Sequence, residues 1–428
     1  MKKLIIYVVV AVVLLSGCAK KTVKNDNKIN VDFWHAMGGP LGDALELLVK
    51  EYNESQSGIY INAVNMGNYT ALSQKLMASI QTGNQPDIAQ VYESWAANFI
   101  KGDLLLPIED FIANDPDFGD EDLEDFFPIF LKSNTVAGQL ISLPFNKSVR
   151  VLYYNKDILF QNDMNPNKPP ITWADFRSMC KKLTQDFDGD GKTDQFGTAL
   201  KINAWQFNNL LLQAGGEIMN EDQTKPLFNS PEGIRALDHF YGVLNKDKSG
   251  YLYPGYDGQN DFLASKIAMF EDSSVSIAYM NKAGIDFNIG IAAIPTDKTK
   301  RSVISGTNVA IFKSGDEKVQ NAGWEFIKWF TDTEQTAKWS ELTYYMPVRK
   351  SSMEQPNLKK RLFENSEIAS VYKQLEHATF EPQISEWHET RKYMEEHVIE
   401  KVIKDILSPK EALDNAAKFI SDKIKERK

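Results

Sequence analysis

Asp186, Asp188, Asp190 and Asp194, with Gly189 and Gly191 between them, follow the D-x-D-x-D-G spacing of a calcium-binding loop. Hard carboxylate oxygens at alternate positions can converge on one cation, glycine permits the sharp turn, and the Lys192 carbonyl would add a ligand. Gly197 stands at the twelfth position, where a bidentate glutamate would complete the shell. Seven-fold oxygen coordination would therefore need a donor from elsewhere. The competing reading is a solvated turn rich in Asp and Gly. A cation held here would be structural, and calcium outside a cell is plentiful enough for a weak loop.

Catalytic constellations are harder to find. The five histidines, His35, His239, His377, His388 and His397, fall in no metal-ligand spacing. Glu396-His397 and Glu386-Trp387-His388 do not form the paired helical histidines of a zinc protease. Neither a Gly-x-Ser-x-Gly elbow, nor a phosphate-binding glycine loop with lysine, nor a dinucleotide fingerprint is present. With 58 acidic residues, a glycosidase pair of carboxylates can be neither picked out nor excluded by spacing alone. These motifs point away from an enzyme and from a cofactor, with structural calcium as the one candidate addition.

The N-terminus speaks of export. Lys2 and Lys3 precede an unbroken apolar run from Leu4 to Leu15, and Ser16 and Gly17 lead into Cys18. The run falls short of the about 20 residues that span a bilayer and has the size and flanks of a signal-peptide core. Leu15-Ser16-Gly17-Cys18 resembles the bacterial lipobox, in which the cysteine is lipidated and becomes the first mature residue. Residues 1–17 would be the signal peptide, and 18–28 the lipidated cysteine and a polar tether. The protein would sit on the extracytoplasmic face of the cell membrane, held by lipid alone. Removing Lys2 and Lys3 makes the chain more negative than its formal −10. An acidic body argues against nucleic acid or an anionic membrane surface as partner. Cys180 has no second thiol to pair with in the mature chain, and its neighbours Met179 and Leu183 place it in a buried helix.

Ile29, Val31 and Phe33 alternate as in a strand, and Leu41, Leu45, Leu48, Val49 and Tyr52 recur at helical spacing. Ile59 and Ile61 return to strand period. Asn68 can cap a helix with the stripe Leu72, Leu76, Met77 and Ile80, ended by Gly83. Asp87 to Glu93 reads as a third strand. This β-α-β-α-β order implies the α/β class, a sheet with crossover helices. Thr172 and Ser230-Pro231 open further helices, Ile304–Phe312 reads as a strand, and Gln320–Phe330 as a helix. Ser408-Pro409-Lys410-Glu411 opens the last helix, with the stripe Leu413, Ala417 and Ile420. About 400 mature residues exceed what one core usually serves, so two domains are expected.

Seven stretches together carry a resemblance. They are Phe33-Trp34-His35, Gly67-Asn68-Tyr69, Gln90-Val91-Tyr92-Glu93, Pro144-Phe145-Asn146-Lys147-Ser148, Leu152-Tyr153-Tyr154-Asn155-Lys156, Ser305-Gly306-Thr307 and Tyr345-Met346-Pro347. In that order the chain resembles the family 1 extracellular solute-binding proteins of ABC importers, most of all its glycerol-3-phosphate-binding branch, over nearly all of the mature length. The resemblance implies a periplasmic-binding-protein-like fold of two α/β lobes, each discontinuous, with a ligand cleft at the hinge. The N-terminal lobe would comprise 29–140 plus 285–340, and the C-terminal lobe 141–284 plus 341–428. The implied partners are a small polar ligand and the importer's permease subunits, and the implied state is a monomer.

Carried over position by position, the resemblance makes Tyr69, Ser148, Ser274, Tyr345 and Arg391 ligand-binding, with Gly306 offering a backbone N–H. Glu93 would accept from ligand hydroxyls, and Trp205 would form part of the pocket wall. A phosphate favours one guanidinium among neutral donors, so Arg391 and the hydroxyls would take the anion and Glu93 the polyol. Residues Lys201 to Ala204 lack the second pocket tryptophan of that branch, which would widen the site and favour a glycerophosphodiester or an altogether different ligand. Two rivals remain open: a receptor for a neutral sugar or oligosaccharide, and a lipid-anchored secreted carbohydrate-active enzyme.

Overall fold

The computed structural model describes residue 25 and residues 27–426, apart from 314, 315 and 365. The apolar leader and Cys18 lie outside the described residues.

Alternation of Val31 and Phe33 with polar neighbours builds β1 (Ile29–His35), in which those two side chains are fully buried while Ile29, at the strand's start, is exposed. The helix Gly39–Ser55 returns the chain to β2 (Ile59–Asn65), parallel to β1 from Ile29↔Ile59 to His35↔Asn65. The helix Tyr69–Thr82 then leads to β3 (Ile88–Val91), also parallel to β1. Asn68 caps that helix by accepting from the Ala71 N–H (2.9 Å), and Gly83 ends it at φ 68°, a left-handed turn that glycine adopts freely. Its buried face runs Leu72, Leu76 and Ser79, while Met77 points outward at 44 % exposure. The third strand is also shorter than expected. It stops at Val91, so Glu93 opens the helix Glu93–Lys101, where a carboxylate favours the N-terminal end of the dipole.

The remaining strands are β4 (Leu105–Leu106), β5 (Thr135–Val136), β6 (Gln139–Leu140), β7 (Leu143–Ser148), β8 (Arg150–Asn155), β9 (Phe196–Leu200) and β10 (Gly250–Leu252). They continue as β11 (Ile267–Ser273), β12 (Ile289–Ala293), β13 (Ser302–Phe312) and β14 (Ala378–Phe380). A seven-stranded sheet runs β14-β13-β3-β1-β2, with β4 and β7 also paired to β13. A five-stranded sheet runs β10-β9-β11-β8-β12, and β5 and β6 form a small hairpin. These two mixed sheets with flanking helices are the α/β fold expected. Sheet membership changes between Ser148 and Arg150 and again between Ala293 and Ser302, later than divisions after residues 140 and 284. The cause is hydrogen bonding: β7 belongs to β13, while β12 closes the edge of the second sheet on β8.

The largest apolar cluster does not stop at a lobe boundary. It includes Phe33, Phe145, Phe326 and Trp339 beside the first sheet and continues through Val151 and Tyr153 to Phe262 and Phe270 beside the second. Burying each such side chain contributes about 1.5–3 kcal/mol. A second cluster holds Trp173, Phe176, Cys180, Phe240, Trp387 and Val398, with the terminal helix Pro409–Glu426 closing over it through Leu413, Ala417 and Ile420. The expected caps are in place at Thr172, whose hydroxyl accepts from the Asp175 N–H, and at Ser230, which accepts from the Gly233 N–H.

Candidate functional site

The seam between β7 and β13 is the foundation of the site. Gly306 pairs with Lys147 at φ 125°, and a Cβ there would lie 1.7 Å from the Asn146 carbonyl oxygen, so glycine alone fits. Beside it the buried Asn146 amide joins two lobes of a polar network. Its Oδ1 accepts from the Thr307 N–H (3.0 Å) and hydroxyl, and its Nδ2 donates to the Tyr69 hydroxyl (3.0 Å). Gln90 donates to Thr307 Oγ1 (3.2 Å) and accepts from the Ala36 N–H (2.7 Å). Buried polar groups without partners are costly, and this network satisfies each amide in turn.

Lys147, the next residue, is 1 % exposed, and its ammonium meets Glu93 Oε1 at 2.7 Å. Glu93 therefore already has a cation, in addition to any ligand hydroxyl. Across the seam the helix Trp387–Tyr393 carries Arg391, whose guanidinium pairs with Glu381. Glu381 is held in turn by Asn208 Nδ2 (3.0 Å) and the Trp387 indole (3.2 Å). Burial pulls against the Arg391 charge, but the Glu381 carboxylate and Tyr92 outweigh it and hold the guanidinium pKa above its ordinary value.

Glu93, Glu381 and Arg391 face one cavity of about 180 Å³, whose walls also include Tyr69, Tyr92, Trp95 and Trp387. Burial raises the phenol pKa values of Tyr69, Tyr92 and Tyr345, so each remains an O–H donor at neutral pH. Burial, helped by Arg391, lowers the pKa of His388, whose Nδ1 accepts from the Trp95 indole at 3.4 Å. The wall thus offers hydroxyl donors, a guanidinium, an aromatic group and two carboxylates. A cavity of about 910 Å³ elsewhere is larger, but it belongs to one lobe, and its cation, Lys328, is already bound by Asp115 at 2.7 Å.

Of the eight residues carried over from the resemblance, Tyr69, Glu93 and Arg391 line this cavity. Tyr345 is close enough to Tyr69 for the two phenols to interact, and its ring stacks on Trp339 at 5.8 Å. Ser148 and Gly306 lie in the β7–β13 ladder behind Lys147, with Ser148 Oγ 3.5 Å from the Ser305 carbonyl. Ser274 donates to the Tyr344 carbonyl (3.1 Å), and its N–H donates to Val149 (2.9 Å). Trp205 is outside the cavity wall: its indole donates to the Val303 carbonyl (2.7 Å) and its ring lies under the Arg150 guanidinium. The aromatic wall comes instead from Tyr92, Trp95 and Trp387. Sequence reasoning passed over these three, and Glu381, although Tyr92 and Trp95 flank Glu93 and Trp387 lies one helical turn before Arg391.

In the acidic loop, oxygens of Asp186, Asp188 and Asp194 come within 4.8 Å of one another, all exposed. Asp190 instead pairs with Lys192 at 3.1 Å. Asp186 accepts from the Gly189 and Gly191 N–H groups (2.7 and 2.8 Å), which hold its carboxyl below the usual range. Three convergent carboxylates suit a hard cation, and the rest of the shell would come from carbonyls and water.

The family model for bacterial extracellular solute-binding proteins matches residues 48–364. The chain belongs to that family. It is thereby a substrate-binding protein of an ABC importer, working on the extracytoplasmic side with permease subunits. Among curated relatives, the sn-glycerol-3-phosphate-binding periplasmic protein UgpB of Escherichia coli K12 is 26 % identical over 332 residues, 75 % of each chain. UgpB of Mycobacterium tuberculosis, solved in complex with glycerophosphocholine, superposes with a TM-score of 0.81 at 21 % identity, covering 93 % of this chain and 98 % of its own. A cyclic α-maltosyl-1,6-maltose binding protein of Arthrobacter globiformis gives 0.78 at 22 % identity, covering 93 % and 100 %. The two structures establish the two-lobed fold of this solute-binding protein. Among its described residues no helix is long and apolar enough to cross a membrane.

Proposed function

We propose that this solute-binding protein captures a glycerophosphodiester, or the related glycerol-3-phosphate, between Arg391 and the Tyr69–Glu93 wall. In this reading it works as a monomer tethered by lipid on Cys18. The observation that carries the reading is one guanidinium facing tyrosine hydroxyls across a cavity of about 180 Å³. That volume is below the roughly 300–1,000 Å³ of drug-sized sites, which suits a compact solute better than an oligosaccharide. Tyrosine donors around a guanidinium suit a phosphate. Tyr92 and Trp95, with Glu93 between them, suit a cationic group at the end of the ligand away from Arg391. Glu93 and Glu381 repel a dianion, so a monoanionic diester with a cationic head is favoured over the monoester. The E. coli and M. tuberculosis relatives, named for glycerol-3-phosphate and solved with glycerophosphocholine, support the class.

A neutral sugar is the second reading. It is favoured by the same aromatic wall and by Glu381, which already neutralises Arg391. Calorimetric titration of residues 19–428 with glycerophosphocholine, glycerol-3-phosphate and maltose separates the two. Saturable binding of a phosphate compound, weakened by about 1.5–3 kcal/mol in Arg391→Ala, is the expected result. Binding of maltose alone would retire the phosphate reading. The Asp186–Asp194 loop is proposed to hold a structural calcium, apart from the ligand.

A further inference from the structure

A second cavity, of about 370 Å³, lies where the chain crosses between the lobes. One side is Pro170 and Ile171 with Ile294, in the segment that leaves β12 for β13. The other is the 3-10 helix Lys373–His377, just before β14. Gln374 in that helix fastens the wall to two crossings. Its side chain donates to the carbonyl of Arg150, which opens β8 (3.1 Å), and its carbonyl accepts from the hydroxyl of Ser302, which opens β13 (3.4 Å).

Two features of the lining point to a ligand. Gln213 is 1 % exposed and lines the cavity; its Oε1 accepts from the Trp173 indole (3.0 Å), but its Nε2 has no partner among the described residues. A buried amide donor without an acceptor is costly, so Gln213 Nε2 favours an oxygen acceptor at the inner end of the cavity. At the rim, the exposed Lys300, Lys373 and His377 face a single carboxylate, Glu376. The volume falls within the roughly 300–1,000 Å³ range of small-molecule sites.

We propose that this cavity binds a small organic carboxylate with an apolar body and a polar oxygen at its far end, and that occupancy biases the hinge. The carboxylate would sit between Lys300 and Lys373, the body against Ile171 and Ile294, and the far oxygen would accept from Gln213 Nε2. A ligand against the 294–300 segment and the Gln374 helix touches a wall tied both to Arg150, which opens β8 of the second sheet, and to Ser302, which opens β13 of the first, so a rotation of one sheet against the other alters its contacts. It therefore has different contacts in the two hinge states, which is the requirement for shifting them. The proposal is independent of which solute fills the Arg391 cleft.

The probe is 4-hydroxybenzoate, with neutral 4-hydroxybenzamide as control, titrated calorimetrically into the mature chain. Expected are saturable binding of the acid, at least tenfold weaker binding of the amide, and at least tenfold loss for the acid in Lys300→Glu/Lys373→Glu. Both reversals are at exposed positions, and unchanged thermal unfolding of the variant verifies its fold. Gln213→Leu should weaken the acid but leave its preference over the amide. Absence of saturable binding, or binding indifferent to the double reversal, overturns the site. Small-angle scattering with and without the probe reads the hinge: an unchanged radius of gyration at saturation overturns the coupling.

Discussion

The surroundings of the Arg391 cavity and the Asp186–Asp194 loop both concentrate charge, and they handle it in opposite ways. Around the cavity every charge has an opposite neighbour: Lys147 with Glu93, Arg391 with Glu381. In the loop, three exposed carboxylates crowd together, and their hydrogen-bond donors are backbone N–H groups of the loop itself. Exposure explains the difference. Solvent screens the loop's carboxylates, so their repulsion costs little. Lys147, 1 % exposed, has lost its hydration and needs a counter-ion and hydrogen bonds in place. A ligand entering a cavity walled by pre-paired buried charges would have to exchange partners with them. A site made of exposed like charges waits for a counter-ion.

The largest expected effect tests the charges around the cavity. Lys147→Met should cost about 3–5 kcal/mol in denaturant unfolding, because Glu93, 14 % exposed, is left without its cation. Lys147→Met/Glu93→Leu should recover much of that loss, and failure to do so would mean the two charges are not a unit. Next comes the exchange of partners. Glu381→Gln keeps the side chain's shape but removes the anion beside Arg391, so affinity for dianionic glycerol-3-phosphate should rise about tenfold, near 1.4 kcal/mol. Glycerophosphocholine should gain less, since its cationic head loses a carboxylate. Equal gains for both in titration would break the assignment of Glu381. The smallest effect belongs to the loop. Asp186→Asn should change stability by less than about 0.5 kcal/mol in calcium-free buffer, whereas added calcium should raise the melting temperature of the parent more than that of the variant. A parent indifferent to calcium would leave the loop a solvated turn.

Much of the frame was legible because its causes are local. Asn68 and Gly83 bracket a helix through side-chain capping and a left-handed turn, each set by its own neighbours. Thr172 and Asp175 satisfy one another's backbone within a single turn. Leu413, Ala417 and Ile420 share a face because a helix has 3.6 residues per turn. Met77 shows the limit. Hydrophobicity placed it on the stripe, but its angle around the helix carries it into solvent. The site was legible in part: Tyr69, Glu93 and Arg391 meet at one cavity, whereas Trp205 turns its indole to Val303, and the aromatic wall comes from Tyr92, Trp95 and Trp387. No spacing rule links residue 95 to residue 387, since nothing along the chain records that two helices from different lobes will face each other.

By itself the sequence determined the α/β alternation, the capped helices, the ordered aspartate loop and the motifs that mark a solute-binding family. These depend on backbone preferences and on neighbours a few residues away. The tertiary structure alone decided which charges neutralise each other, where the sheets exchange strands, and which aromatic rings wall the cleft. Those outcomes depend on burial, which strips water from Lys147 and Arg391 and makes the choice of distant partners a matter of several kcal/mol rather than tenths.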